Sequence, residues 1–277
     1  MCHSDFRLED TKLRQNINLT IVSLVCQIAS RVLVRSSRRH HGRSRRRSAA
    51  RSVLVFLPGI GTILEIYDKL AQCNMRDFLC LVLLHSSSGI DDQKAALEPP
   101  PPGLLKVILS TNIAESSLTV PDVSIVIDTC VCRQIRFNPH MRLPILEDSW
   151  ISREAADQRK GRTGRVRPGE VFRIVPRNFF LSLPRNIEPE IIRVPLEETI
   201  LKIIEIRCDP KVLDSCLDAP KPGDVEEAMK SLIDLDITTK IPTGHQLTSL
   251  GYLLVKMPVP LRVGIFVLAE EALVIAV

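Results

Sequence analysis

Residues Gln158 to Gly169 read QRKGRTGRVRPG, with five positive side chains in twelve residues and glycine at 161, 164 and 169. Written on a helix, Gln158, Arg162 and Arg165 fall at i, i+4 and i+7 and share one face, while Lys160, Thr163 and Arg167 point elsewhere. Three long polar donors then converge on one target, and planar guanidinium forks suit phosphate oxygens. Gly161 and Gly164 each cost about 1 kcal/mol against alanine inside a helix, which implies that something approaches the backbone closely, and Arg-Pro-Gly ends the element. Arginines at a transferring phosphoryl group are worth roughly 10³ to 10⁵ in rate. A solvated basic helix that merely touches phosphate backbones is the other reading, and spacing alone leaves both standing.

Such side chains need a scaffold. Five short runs are nearly continuous in Val, Ile and Leu: Val53 to Leu57, Leu79 to Leu84, Lys106 to Ser110, Val123 to Asp128 and Glu170 to Val175. Runs of that length and texture predict an α/β fold whose parallel strands are buried on both faces, with crossover helices between them. EPPPPG, Glu98 to Gly103, excludes helix and central strand and marks a bend before the third run. From Pro189 onward the apolar residues fall at helical spacing, so a second, mostly helical unit is expected from about residue 180.

Charge and cysteine usage bound the partners. The net charge is +5, yet Arg35 to Arg51 alone holds eight arginines and no acid, so the remainder is net negative and the basicity is local. That Arg/Ser tract reads as a solvated segment that clings to polyanions. Ile17, Ile21, Leu24, Val25, Ile28 and Val32 form a helical stripe too interrupted by polar residues to span a bilayer; it predicts an amphipathic helix packed on a domain, with no signal peptide and no membrane anchor. Eight scattered cysteines suit reduced thiols in cytoplasm or nucleus. Cys130 and Cys132 lack a second Cys/His pair nearby, so no metal is assigned. Trp150 is expected to anchor packing ahead of the arginine stretch.

STNIAESSLTVPDVSIVID, Ser110 to Asp128, follows a predicted buried strand with a turn rich in hydroxyls and amides, at the strand carboxyl ends where α/β proteins bind ligands. With VLVFLPGI (Val53 to Ile60), LHSS (Leu84 to Ser87) and the arginine stretch, it resembles the second RecA-like lobe of the DEAH-box RNA helicases. PEIIRVPLEETIL (Pro189 to Leu201) resembles the start of that family's winged-helix unit, and LTSLGYLLVKMPV (Leu247 to Val259) the junction to its helical ratchet domain. The resemblance spans roughly Val53 to Val259. It implies four segments: 1–52, amphipathic helix and Arg/Ser tract; 53–180, second RecA-like lobe; 181–250, winged helix; 251–277, a ratchet start that stops short. Within the family, SW, DQRKGR and TVPDV lean toward the tudor-domain-containing or RNA-helicase-A-like branches.

The resemblance implies an ATP-driven motor in which the nucleotide, with Mg²⁺, lies between two RecA lobes and RNA crosses both. Arg162 and Arg165 match the arginine fingers, and Gln158 the position near the attacking water. Thr119, Asp122, Leu97 and Arg159 match the ATP-contacting set. Ser87, Ser110, Thr111 and Asn112 match positions that hold the RNA backbone. Val131 to Leu146 falls where the family carries a β-hairpin. Leu97 stands where relatives often stack a phenylalanine on adenine, and Pro121 where many carry a ribose-binding Asp, with Asp122 one residue later. No GxxxxGK[ST] and no Asp-Glu-x-His stretch occurs. The expectation is therefore a helicase portion that hydrolyses no ATP until a first lobe, in cis or trans, supplies the phosphate cradle; the alternative is a non-catalytic module that binds RNA or a partner.

Overall fold

The computed structural model describes residues 10–39, 52–116, 120–138, 143–165, 167–187, 189–242 and 244–275. Residues 40–51 of the Arg/Ser tract and Thr119 lie outside the described residues. In chain order the elements are α1 (Thr11–Arg39), β1 (Ser52–Phe56), α2 (Ile60–Ala71), β2 (Leu79–Leu84), α3 (Ile90–Leu97), β3 (Leu105–Ser110), α4 (Ile113–Ser116), β4 (Val123–Asp128), β5 (Val131–Asn138), β6 (Leu143–Trp150), α5 (Arg153–Lys160), β7 (Glu170–Arg173) and α6 (Arg177–Ser182). There follow α7 (Glu190–Arg193), α8 (Glu197–Glu205), α9 (Pro222–Asp234), β8 (Thr238–Ile241), β9 (Gly244–Leu247), α10 (Ser249–Leu254) and α11 (Leu261–Ile275). The chain divides into two compact units, 1–134 with 147–187 and 135–146 with 188–277.

In the first unit all five predicted runs become strands of one parallel sheet, in the order β2-β3-β1-β4-β7. Alternation explains why those runs read as continuously apolar. Val53, Val55, Val107, Leu109, Ile125 and Ile127 pack against Ile21, Val25 and Ile28 of α1 and Ile63 and Ile66 of α2. Their neighbours Leu54, Phe56, Ile108 and Val126 pack on the opposite face with Ala114 of α4. A sheet covered on both sides leaves no polar face to show in the sequence. The α1 stripe is seated as expected: Ile21, Val25 and Ile28 are buried, and the polar Asn18 reaches Glu65 of α2 with its Nδ2 at 2.9 Å.

Two short hairpin-like sheets complete the fold. β5 and β6 pair with each other, where the resemblance implied a hairpin. Trp150 at the end of β6 packs edge-on against Phe179, ring centroids 4.8 Å apart. In the second unit, Ile200 and Ile204 of α8, Ala228 and Leu232 of α9, and Leu247, Leu254 and Leu261 form one core. That unit is not all helix: β8 and β9 form an antiparallel pair, Thr238 opposite Leu247 and Ile241 opposite Gly244. Strands of four residues with alternating Thr, Lys, His and Gln leave too short a periodic signal to read. No helix among the described residues is long and apolar enough to cross a membrane.

Candidate functional site

The arginine stretch is a helix only in its first part. α5 begins at Ser152, whose side chain accepts from the Ala155 N–H, and ends at Lys160. Past it, the N–H groups of Arg162 and Thr163 bond three residues back, to Arg159 and Lys160. Gly164 then takes φ +79°, left-handed backbone that a continuing helix cannot contain. The shared helical face of Gln158, Arg162 and Arg165 is thus corrected: Gln158 is exposed on α5, and the two arginines stand on the loop beyond it.

The loop is pinned at its root. Thr163 is buried and donates its hydroxyl to the Val123 carbonyl at 3.1 Å, at the amino end of β4. Gly169 closes the loop onto the same residue: a Cβ there would collide with the Thr163 side chain and lie 2.9 Å from the Gly164 nitrogen. Gly169→Ala is expected to destabilise the first unit by about 1–3 kcal/mol, read as a lower urea midpoint at an unchanged slope.

Arg159 is the structural member of the stretch. It has no exposed surface; its Nε reaches Glu115 Oε2 at 2.9 Å, its Nη1 reaches Asp128 Oδ1 at 2.8 Å and the Val131 carbonyl at 3.3 Å, and its guanidinium lies 4.8 Å over the Phe56 ring. Burial by itself would lower its pKa, but Asp128 and Glu115 outweigh that and raise it. The expected ATP contact at Arg159 is corrected on this ground: the side chain is fully buried and its Nε and Nη1 are taken by protein acceptors, while its Nη2 is buried without a hydrogen-bond partner among the described residues.

Arg162 is different. It is half-buried, its Nη2 donates to the Glu115 main-chain carbonyl, its Nε is buried without a hydrogen-bond partner, and no carboxylate pairs with it among the described residues. Burial, then the like charge of Arg165, hold its pKa below the ordinary value, with Glu115 opposing. Arg165 is exposed and donates from Nε to the Gly161 carbonyl at 3.0 Å. Arg162 thus feels the like charge of Arg165 while the Glu115 carboxylate is committed to Arg159, and an anion beside it would be stabilised.

The other expected contacts separate to the two ends of the strands. At the carboxyl ends, Thr111 donates its N–H to Leu84 at the end of β2, which brings the Thr111–Asn112 turn beside the loop carrying Ser87. Ser87 and Asn112 are exposed and Thr111 half-buried. Ser110 is not available there: it is fully buried, its hydroxyl donates to the Thr111 carbonyl at 2.9 Å, and its carbonyl accepts from Leu57. Its expected RNA contact is corrected accordingly.

At the amino ends, Leu97 and Asp122 meet through a residue the sequence reading passed over. Lys106 is buried in β3, and its ammonium reaches the carbonyls of Ala96 at 2.8 Å and Glu98 at 2.6 Å and the Asp122 carboxylate at 3.1 Å. Two of the ammonium's donors are met by carbonyls, and its charge by the ion pair with Asp122. The only trace in the sequence was a lysine opening an otherwise apolar strand. Asp122 also accepts from the Ser52 hydroxyl at 2.5 Å. Its oxygens are therefore engaged, and the ribose role expected of Asp122 is corrected to a structural one; Leu97 remains 42% exposed and offers apolar contact. The arginine donors suit the oxygens of an anion, and Asp122 offers no uncommitted carboxylate oxygen.

Comparison with known proteins bears on the family and the fold. The family model described as Helicase conserved C-terminal domain matches residues 35–167. The chain is 38% identical over 240 residues to the ATP-dependent RNA helicase TDRD9 of Danio rerio, covering 81% of this chain and 18% of that protein. It is 37% identical over 219 residues to the ATP-dependent RNA helicase DHX29 of Mus musculus, covering 77% of this chain and 16% of that protein. Among solved structures, the Escherichia coli DEAH/RHA helicase HrpB superposes with a TM-score of 0.67 at 28% identity, covering 84% of this chain and 28% of that one. The chain thus spans less than a third of the length of each protein it matches here.

Proposed function

This chain belongs to the DEAH-box helicase family, and from that premise we propose that it forms the arginine-bearing wall of an ATP site whose phosphate cradle lies on a first RecA-like lobe. The observation that carries the reading is Arg162, half-buried beside the like charge of Arg165 and without a carboxylate partner among the described residues. Bound ATP with Mg²⁺ supplies the phosphoanhydride whose cleavage drives the motor. Arg162 and Arg165 stabilise charge on the terminal phosphate, and Gln158, exposed on α5, is the residue assigned to the attacking water. Leu97 covers the base by apolar contact alone. Of the four segments bounded at 52, 180 and 250, α1 of the first packs with the second as one unit, and the last two are proposed as winged helix and ratchet start; free thiols at all seven described cysteines suit cytoplasm or nucleus.

RNA is held at the opposite ends of the strands by Ser87, Thr111 and Asn112, neutral donors that grip sugar and phosphate without reading sequence. The test is the affinity of the full chain for short oligouridylate as salt is raised. Asn112→Ala is expected to weaken binding about tenfold, one hydrogen bond to a charged oxygen, and to leave the salt slope unchanged, because a neutral amide displaces no counterion. Binding that is steep in salt and indifferent to Asn112→Ala would instead assign the grip to the arginine tract, the clamp reading.

A further inference from the structure

The RNA turn and the arginine loop are joined by one residue. Asn112 leads directly into α4, whose single turn is closed by the Ala114 and Glu115 N–H groups bonding back to Thr111 and Asn112. Ala114 is fully buried on the sheet, so this turn moves with Thr111 or not at all. Glu115 then faces the arginine loop twice. Its carboxylate holds Arg159 at 2.9 Å, and its main-chain carbonyl accepts from Arg162. Arg159 is itself immobilised by Asp128, so the carboxylate of Glu115 is clamped against a fixed point.

We propose that Glu115 is a positioning residue: it sets where the Arg162 guanidinium stands and ties that position to the turn carrying Thr111 and Asn112. The inference rests on the reading of the arginine loop and the RNA edge given above. Its chemical content is simple. The carbonyl that orients Arg162 belongs to the residue whose side chain is anchored on Arg159, so releasing that anchor frees the carbonyl, and with it the guanidinium. RNA seated on Thr111 and Asn112 stiffens α4 and, through Glu115, the loop beyond α5.

Hydrogen exchange on the full chain, with and without short oligouridylate, tests this without any need for catalysis. In the wild-type chain RNA is expected to slow exchange of amides in 158–169 about threefold. Glu115→Gln keeps the side chain's size and removes its charge; it is expected to bind RNA within about twofold of wild type and to lose the slowing. Glu115→Asp keeps the charge but withdraws the carboxylate by one methylene, and gives the same loss should Glu115→Gln not fold. RNA binding without slowing at 158–169 in the wild-type chain, or slowing that survives in both variants, overturns the positioning role and leaves the RNA edge intact. Absence of RNA binding by the wild-type chain overturns the reading beneath it, and the positioning role with it.

Discussion

Arg162→Ala, in a chain combined with a phosphate-cradling first lobe from a DEAH-box relative, is expected to lower kcat for ATP about 10³-fold or more while moving KM far less. The asymmetry follows from the geometry. Arg162 is held by one backbone carbonyl and no carboxylate among the described residues, so its charge is largely unspent until negative charge gathers on the terminal phosphate. Loss of such a group removes an interaction made most strongly in the transition state. A variant that raises KM and spares kcat would place Arg162 in ground-state binding instead. Steady-state rates at saturating RNA separate the two outcomes.

Asp128→Ala has the largest expected effect on stability. Asp128 is fully buried and does two things at once: its Oδ1 pairs with Arg159 at 2.8 Å and accepts the Cys130 N–H at 2.8 Å. The second bond caps a turn in which Cys130 takes φ +59°, left-handed backbone that a non-glycine residue holds only with support. Removing the carboxylate leaves the buried guanidinium with Glu115, the Val131 carbonyl and the Phe56 ring, and uncaps that turn. Breaking a buried pair from one side costs about 3–5 kcal/mol, a fall of roughly 6–20 °C in Tm for a unit of this size. Asp128→Asn, which keeps an acceptor for Cys130, is expected to fall between. A loss below about 1 kcal/mol for Asp128→Ala would mean that Glu115 suffices and that Asp128 is incidental.

The two sets of residues differ in how far their sequence could be read. The sheet was legible because burial on both faces makes each strand an uninterrupted apolar run, and Val53 to Leu57 or Val123 to Asp128 can hardly be anything else in an α/β chain. The stripe of α1 was legible for the same reason, through its period. The arginine loop was not, because spacing treats Gln158 to Arg165 as one helix, whereas the positive φ at Gly164 is a tertiary choice enforced by Thr163 on Val123 and by the close approach of Gly169. Nor could a motif say which of three arginines serves the fold. Arg159, Arg162 and Arg165 look alike in the sequence; only the positions of Asp128 and Glu115, remote along the chain, decide that the first is an ion-paired strut. Ser110 and Thr111 divide in the same way, since one residue's step along a strand end turns a side chain from solvent into the core.

Lys106 and Asp122 carry a related lesson. A lysine at the start of β3 and an aspartate before β4 gave no sign of pairing, yet together they fasten the end of α3 to the sheet. That pairing occupies the carboxylate that a ribose would need, so in the proposed ATP site recognition is left to the phosphates. The functional weight therefore falls on the arginine loop.

The central claim is that these guanidinium groups complete a site held by another lobe, and ATP turnover before and after that lobe is added tests it most directly. The account predicts no hydrolysis by the 277-residue chain alone, with or without RNA, and RNA-stimulated hydrolysis once the phosphate-cradling lobe is present. Robust RNA-stimulated turnover from the purified chain by itself, abolished by Arg162→Ala, would contradict it.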